Sequence, residues 1–391
     1  MNESFCVSCH PSSEGLHYSL RTVQLVLSWL YHSSLQLPLT VKRRLMESEP
    51  DTSLSFAIVG CGRIAQRHAK HIDNVGRLVA VCDVLEERAR DLGSAYDAEV
   101  YSSLEDMLAK ATEVDVVSIC TPNGLHAEHT IAAVRAGCHV LCEKPMALTV
   151  ADCGRMITEA EKANKRLFIV KQNRFNPPVA AIKNAVDSGW LGDIYSVQLN
   201  CFWNRHRKYY QSSPWRGTEA LDGGVLFTQF SHFVDIMYWI VGDVESVSAV
   251  SENLNHVDTT DFADTGVISM RFVNGALGGI HYTTNAHGGN MEGSITIFGE
   301  NGTVKIGGQY LNELEYQDIA DHEIMGLKQS AGANDYGTYQ GSMSNHDKVY
   351  ENIVRVFSGD EQASTVGYEG LKTVEIIEKI HTASREVSPA L

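Results

Sequence analysis

From Leu54 onward the chain alternates between short runs rich in β-branched residues and segments of helix length. The runs are "LSFAIVG", "LVAVCDV", "VDVVSICTP", "HVLCEKP" and "RLFIVKQN". Parallel strands need a long crossover between neighbours and are apolar on both sides, so this alternation requires a parallel sheet covered by helices on both faces. The connecting segment "HAEHTIAAVRAG" shows how such a helix is recognised, with Ile131, Val134 and Arg135 at helical spacing and Gly137 at its end. After about Arg174 the pattern changes to longer alternating runs such as "IYSVQLNCFW", "VESVSAVS", "GVISMRFVNGALGGIHYTT" and "GSITIFGENGTVKIG". "VNGA" and "ENGT" are turn signals, which makes these strands hairpin-connected and antiparallel. Helices are predicted over 177–188, 346–357 and 367–385. The fold class is α/β: a parallel sheet over 54–173, then an α+β domain over 174–391 with a large, open, mainly antiparallel sheet. At 391 residues the chain exceeds one ordinary core, in keeping with two domains. An open sheet with helices on one face leaves the other needing cover, so a homodimer or homotetramer through this sheet is expected.

The formal charge of −16 excludes a non-specific grip on nucleic acid or anionic lipid, and any anionic ligand must be met locally. The nine cysteines lack framework spacing, and Cys82, Cys120 and Cys142 fall in apolar runs, which points to a reducing, cytoplasmic setting. Residues 1–53 read as a poorly structured extension. Its run "VQLVLSWLY" is too short to span a bilayer and lacks the flanks of a secretory signal, and Met46 is a candidate start. "CVSCH" has the spacing of a haem-attachment motif, but attachment needs export, and no haem is expected.

"AIVGCGRIAQRHA" is the sharpest local motif. Gly60 allows a tight turn after a strand, Gly62 lets the backbone approach a pyrophosphate, and Ala65 permits close helix packing, with Arg63 and Ile64 between them at the opening of the helix. Asp83 ends the next strand, where a carboxylate can bind both ribose hydroxyls. The same charge would repel a 2′-phosphate, so a Rossmann-type domain binding NAD rather than NADP is expected. Ligands of such sheets sit beyond the carboxyl ends of the strands, which assigns Thr121, Pro122, Asn123 and His126 of "TPNGLH", and Glu143 and Lys144 of "CEKP", to the nicotinamide half. A lysine beside an oxidised nicotinamide feels a like charge and becomes a better proton acceptor. His68 with His71, and His126 with His129, sit at helical spacing, but no carboxylate or cysteine completes a ligand set in the sequence, and no metal is expected.

These motifs, with "CEKPMA" and the later "GGVLFTQFSHFVDIMYWIVG", resemble the glucose-fructose oxidoreductase and inositol dehydrogenase (Gfo/Idh/MocA) family from Leu54 to the C-terminal helices. The resemblance implies an NAD(P)-dependent oxidoreductase with Lys144 as catalytic lysine and His232 as active-site histidine. On the residues themselves, Ser231 can cap a helix whose first turn carries His232, and a neutral imidazole there can take a proton from a sugar hydroxyl. Many relatives carry Asp four residues before the histidine. Here that position is Thr228, which leaves Lys144 and His232 as a two-member set with Thr228 as a hydrogen-bonding neighbour.

"CFWNRHRKYYQSSPWRG" crowds cations among aromatic rings in an acidic chain. Together with "KQNRFNPPV" it resembles the UDP-N-acetylglucosaminuronate 3-dehydrogenase branch, which implies oxidation of a nucleotide sugar at C3 in polysaccharide biosynthesis. A diphosphate wants Arg or Lys and a uracil an aromatic shelf, so Lys171, Asn173, Arg174, Tyr210, Trp215 and Arg216 are the substrate-side candidates. The family also covers glycosidases that hold NAD and oxidise C3 transiently, and a non-catalytic nucleotide-binding subunit is a further alternative.

Overall fold

The computed structural model describes residues 53–111, 113–329, 332–335 and 340–387. The expectations for the extension, including "CVSCH" and "VQLVLSWLY", therefore lie outside the described residues, apart from Ser53.

The alternation beginning at Leu54 folds into six parallel strands in the order β3-β2-β1-β4-β5-β6: Ser55–Val59 (β1), Arg77–Cys82 (β2), Glu99–Tyr101 (β3), Val116–Ile119 (β4), His139–Cys142 (β5) and Leu167–Ile169 (β6). Helices Ala65–Val75 (α1), Glu86–Tyr96 (α2), Leu104–Lys110 (α3), His126–Arg135 (α4) and Val150–Lys162 (α5) make the crossovers. β1 and β4 are buried along their whole length, as a strand covered on both faces must be.

Helix Pro177–Asp187 (α6) leads into a seven-stranded sheet of order β13-β12-β11-β7-β10-β9-β8. Its strands are Ile194–Phe202 (β7), Val244–Glu252 (β8), Thr265–Phe272 (β9), Leu277–Thr283 (β10), Glu292–Gly299 (β11), Gly302–Gly307 (β12) and Glu313–Ile319 (β13). "VNGA" and "ENGT" turn β9 into β10 and β11 into β12 as the sequence indicates. One pair departs from the hairpin grammar. β7 enters from a helix, inserts between the two hairpins, and so runs parallel to β10 while remaining antiparallel to β11. Helices Ser231–Val241 (α7) and Gly367–Val387 (α9) cover the inner face, where Ile268, Met270 and Phe272 alternate with outward residues of β9.

The second half is not confined to its own sheet. Helix His346–Ser358 (α8) returns to the first half, where Val349, Tyr350, Ile353 and Val356 pack in one core with Phe56 and Ile58 of β1 and Ala65, Ala69 and Ile72 of α1. The 174 boundary therefore assigns α8 to the wrong core: its apolar stripe is needed to cover the parallel sheet. Among the described residues no helix is long and apolar enough to cross a membrane.

Candidate active site

The turn after β1 is built for close backbone approach. Gly60 has φ +90°, and a Cβ there would lie 2.7 Å from the Cys120 carbonyl oxygen. At Gly62 the position of a Cβ faces open space. The first turn of α1 has no side-chain cap; the Ala65 and Arg67 N–H groups turn back to the Gly62 and Ile64 carbonyls, and the helix end still presents its positive pole to an anion. Asp83, at the end of β2, accepts the Cys61 N–H at 2.8 Å and the Leu85 N–H at 2.8 Å, one on each oxygen. The carboxylate thus locks the glycine turn and keeps a further lone pair on each oxygen for a ribose. These residues fit a dinucleotide: an open cradle, an uncapped helix end and an acid at the neighbouring strand end.

The two further strand ends meet the second half of the chain. Gly124 packs so closely that a Cβ would fall 2.1 Å from the Ala220 carbonyl oxygen. Asn123 donates to the Asp222 carbonyl at 2.8 Å and to the Thr228 hydroxyl at 2.7 Å. Lys144 donates to the Thr228 carbonyl at 2.8 Å. Burial pushes its ammonium pKa down; Glu143 opposes that shift, and Lys171 and Arg205 reinforce it. His232, buried on the first turn of α7, has an Nε2 with no hydrogen-bond partner among the described residues. Burial, then Lys144, then Lys171, hold its imidazole well below the usual histidine range, so it is neutral. Ser231 does not cap α7 as expected: it lies inside the helix, Phe230 takes the cap position, and the low pKa follows from burial and neighbouring cations. Asn173 is 1 % exposed, and neither its amide oxygen nor its nitrogen is paired among the described residues.

Several expected site residues have other work. His126 is buried with Nδ1 2.7 Å from the Pro145 carbonyl and Nε2 2.9 Å from that of Thr121, a strut between two strand ends. Glu143 binds His68 and accepts the N–H of Lys144. Lys171 and Arg174 are paired within the protein. Asp235 receives the Lys171 ammonium at 3.0 Å and a bidentate Arg174 fork at 2.8 Å, and Arg174 also pairs with Glu369 at 2.6 Å. Buried cations need such partners. Burial alone would raise the Asp235 carboxyl, but Arg174 and Lys171 hold it far below the carboxylate range.

The basic aromatic stretch also turns largely inward. Trp203 packs on Phe230 and Phe233; Arg205, 2 % exposed, donates to Gln229, Asn290 and backbone carbonyls; Tyr210 packs against Tyr209 and His256 in the interior. Of the expected substrate residues in it, Trp215 and Arg216 are half-buried, with the guanidinium 4.2 Å over the Tyr209 ring and 4.9 Å over that of Trp215. A cavity of ≈ 260 Å³ is lined by Arg205, His206, Tyr209 and the Gly288–Asn290 turn, and Tyr209 links it to Arg216. Gln229, bonded to both Arg205 and Tyr209, joins this wall to Thr228. A larger groove, ≈ 870 Å³, includes none of Lys144, His232 or Asn173.

Sequence reasoning missed Asp222. Its carboxylate binds the Gly217 N–H at 2.8 Å and the Thr228 hydroxyl, and burial pushes its pKa up. An acid immediately before the Gly223–Gly224 pair was the available signal. It also missed that a carboxylate joins the histidines: His68, Glu143 and His346 converge with ligand-type atoms within 4.8 Å of one another. Their mutual bonds and Tyr350 account for His68 and Glu143, and no metal is assigned.

A parallel sheet with a dinucleotide cradle, opening onto a half-buried lysine and a neutral histidine, defines a nicotinamide-dependent oxidoreductase. The comparisons agree. Residues 54–171 match the oxidoreductase family NAD-binding Rossmann fold, and residues 179–305 match the GFO/IDH/MocA C-terminal domain. The chain belongs to the Gfo/Idh/MocA family and is an NAD-dependent sugar dehydrogenase acting on CH–OH groups. It is similar to the WlbA dehydrogenase of Bordetella pertussis, solved in complex with NADH and UDP-GlcNAcA, with 36% identity, a TM-score of 0.76, and coverage of 86% of this chain and 98% of that one. It is 30% identical to myo-inositol 2-dehydrogenase of Thermotoga maritima over 64% of this chain and 74% of that protein. With D-glucoside 3-dehydrogenase of Escherichia coli it shares 35% identity over 53% of this chain, the match spanning 59% of that protein.

Proposed function

We propose that the protein oxidises the C3 hydroxyl of a UDP-linked N-acetylated sugar, UDP-N-acetylglucosaminuronate being the substrate favoured, to a 3-keto sugar for polysaccharide biosynthesis. The observation that carries the chemistry is the pairing of a lysine of lowered pKa with a neutral histidine whose Nε2 lacks a partner among the described residues. NAD, when bound, supplies the hydride acceptor. Lys144, fixed by the Thr228 carbonyl, accepts the hydroxyl proton, and His232 Nε2 hydrogen-bonds the same hydroxyl and shares the acid-base work. Asp222 and Asn123 hold Thr228 through its hydroxyl and so fix the carbonyl that orients Lys144. The unpaired Asn173 amide offers a donor and an acceptor to a neighbouring sugar group. The nucleotide is assigned to the cavity that Tyr209 shares with the Arg216 stack. The choice of sugar rests on the UDP-GlcNAcA held by the Bordetella WlbA, and the choice of carbon on the name of the glucoside 3-dehydrogenase.

Purified protein mixed with NAD and UDP-N-acetylglucosaminuronate should develop nicotinamide absorbance together with a 3-keto product. No product from any UDP-sugar would refute the substrate class, and sugar release without net redox would favour the glycosidase alternative.

The outer face of the seven-stranded sheet is proposed to bind a second copy. Val250 is paired with Val267, and that row continues through His281 and Asn200 to Ser294; Leu277 and Phe298 flank Ser196 in a second row farther along the strands. Val250, Val267, Leu277 and Phe298 are each more than two-fifths exposed, an apolar surface that a lone subunit leaves in water. The double substitution Val267→Asp, Leu277→Asp is expected to yield monomers by light scattering where the parent is a dimer or tetramer. A monomeric parent would exclude this interface.

A further inference from the structure

A buried hydrogen-bond chain runs from the interior of the parallel sheet to the backbone of Lys144. The Ser118 hydroxyl lies 2.9 Å from that of Tyr350, the Tyr350 hydroxyl 2.7 Å from His68 Nδ1, and His68 Nε2 2.9 Å from Glu143 Oε1. Glu143 Oε2 accepts the Lys144 N–H at 3.0 Å. His346 adds its Nε2 at 3.5 Å from Glu143 Oε1. Four elements, β4, α8, α1 and the end of β5, are stitched together by groups almost wholly removed from water.

The directions of these bonds follow from the inventory of donors. Glu143 is ionised: burial alone would raise it, but His346 and His68 hold it well below the usual range. A carboxylate accepts only, so His68 donates from Nε2, its Nδ1 accepts from Tyr350, and Tyr350 accepts from Ser118. The chain therefore fixes one tautomer of His68 and keeps a negative charge one residue from the proton-accepting amine.

We propose that Glu143 is a positioning residue that sets the proton affinity of Lys144, holding both its backbone and a compensating charge beside it through the Ser118–Tyr350–His68 chain. This rests on the reading of Lys144 as the proton acceptor. The groups facing Lys144 are Glu143 from its own strand end, His126 from α4, Lys171 from the turn before α6, and Arg205, Asp222 and His232 from the second half. Of the two carboxylates, Asp222 is already engaged by the Thr228 hydroxyl and the Gly217 N–H and is pushed toward its neutral form, whereas Glu143 stays charged. Removing the Glu143 charge should leave the burial and cations around Lys144 opposed by Asp222 alone and lower its proton affinity.

Glu143→Gln makes that change with nearly the same shape. Its amide can donate to His68 Nε2 if the chain reverses, with His68 donating from Nδ1 to Tyr350 and Tyr350 to Ser118, a reversal that two hydroxyls permit. The readout needs no substrate: the full chain is labelled with acetic anhydride across pH and acetylation of the Lys144 peptide is followed by mass spectrometry. The expected result is a labelling midpoint at lower pH in Glu143→Gln, so that below the parent's midpoint Lys144 reacts severalfold faster than in the parent. Glu143→Asp, which keeps the charge, should label near the parent. An unchanged midpoint in Glu143→Gln overturns the proposal. So does a shift to lower pH in Glu143→Asp, the test that stands if the Gln variant does not fold, or a stoichiometric metal at His68, Glu143 and His346 whose removal moves the parent's midpoint. Failure of the functional reading is separate, since it appears as absent turnover with the labelling shift intact.

Discussion

Replacing Lys144 by Ala should lower the rate of sugar oxidation by about 10²–10⁴-fold, the usual worth of a positioned acid-base group, while NADH binding followed by fluorescence survives. The pH dependence gives the same residue a second signature. Its pKa is lowered from 10.5, chiefly by burial, and the oxidation needs the unprotonated amine. The parent's rate should therefore rise with pH and level off below the ordinary lysine range, and this rising limb should disappear in Lys144→Ala. A variant retaining both the rate and the limb would remove Lys144 from the chemistry.

The largest effect on stability is expected at Asp235. Its carboxylate is 1 % exposed and is the shared partner of Lys171 and of the Arg174 fork, with Thr373 bonded to the same Oδ1 at 3.2 Å. Asp235→Ala would leave Lys171 without its counter-charge and Arg174 with Glu369 alone, and removing one member of a buried ion pair costs about 3–5 kcal/mol. Denaturant unfolding should show a loss of that order. The folded-state pKa of Asp235 lies below its unfolded value, so its contribution is present at neutral pH and falls away as acid titrates the unfolded and then the folded carboxylate. A loss under about 1 kcal/mol would indicate that the two cations find other partners.

The features legible from sequence were those set by local chemistry. Strand-helix alternation, the Gly60 and Gly62 turn and the Asn-Gly hairpins each depend on neighbours along the chain, and the structure shows them in place. Residues whose meaning depends on distant partners were less legible. Lys171 and Arg174 look like anion binders until Asp235 and Glu369, 61 and 195 positions from Arg174, are folded onto them. Arg205 sits in a stretch that appears exposed, but the Trp203 and Tyr209 rings flank its guanidinium and Gln229 and Asn290 take its N–H groups. The same holds for His68: the carboxylate that reaches it stands 75 residues on, at the end of β5.

The central claim is that hydride leaves C3 of a nucleotide sugar for a nicotinamide. UDP-N-acetylglucosaminuronate deuterated at C3 tests it directly, with the reduced cofactor weighed by mass spectrometry after a single turnover. Deuterium recovered in NADH is the expected result. Turnover that leaves the label on the sugar or releases it to water would contradict it.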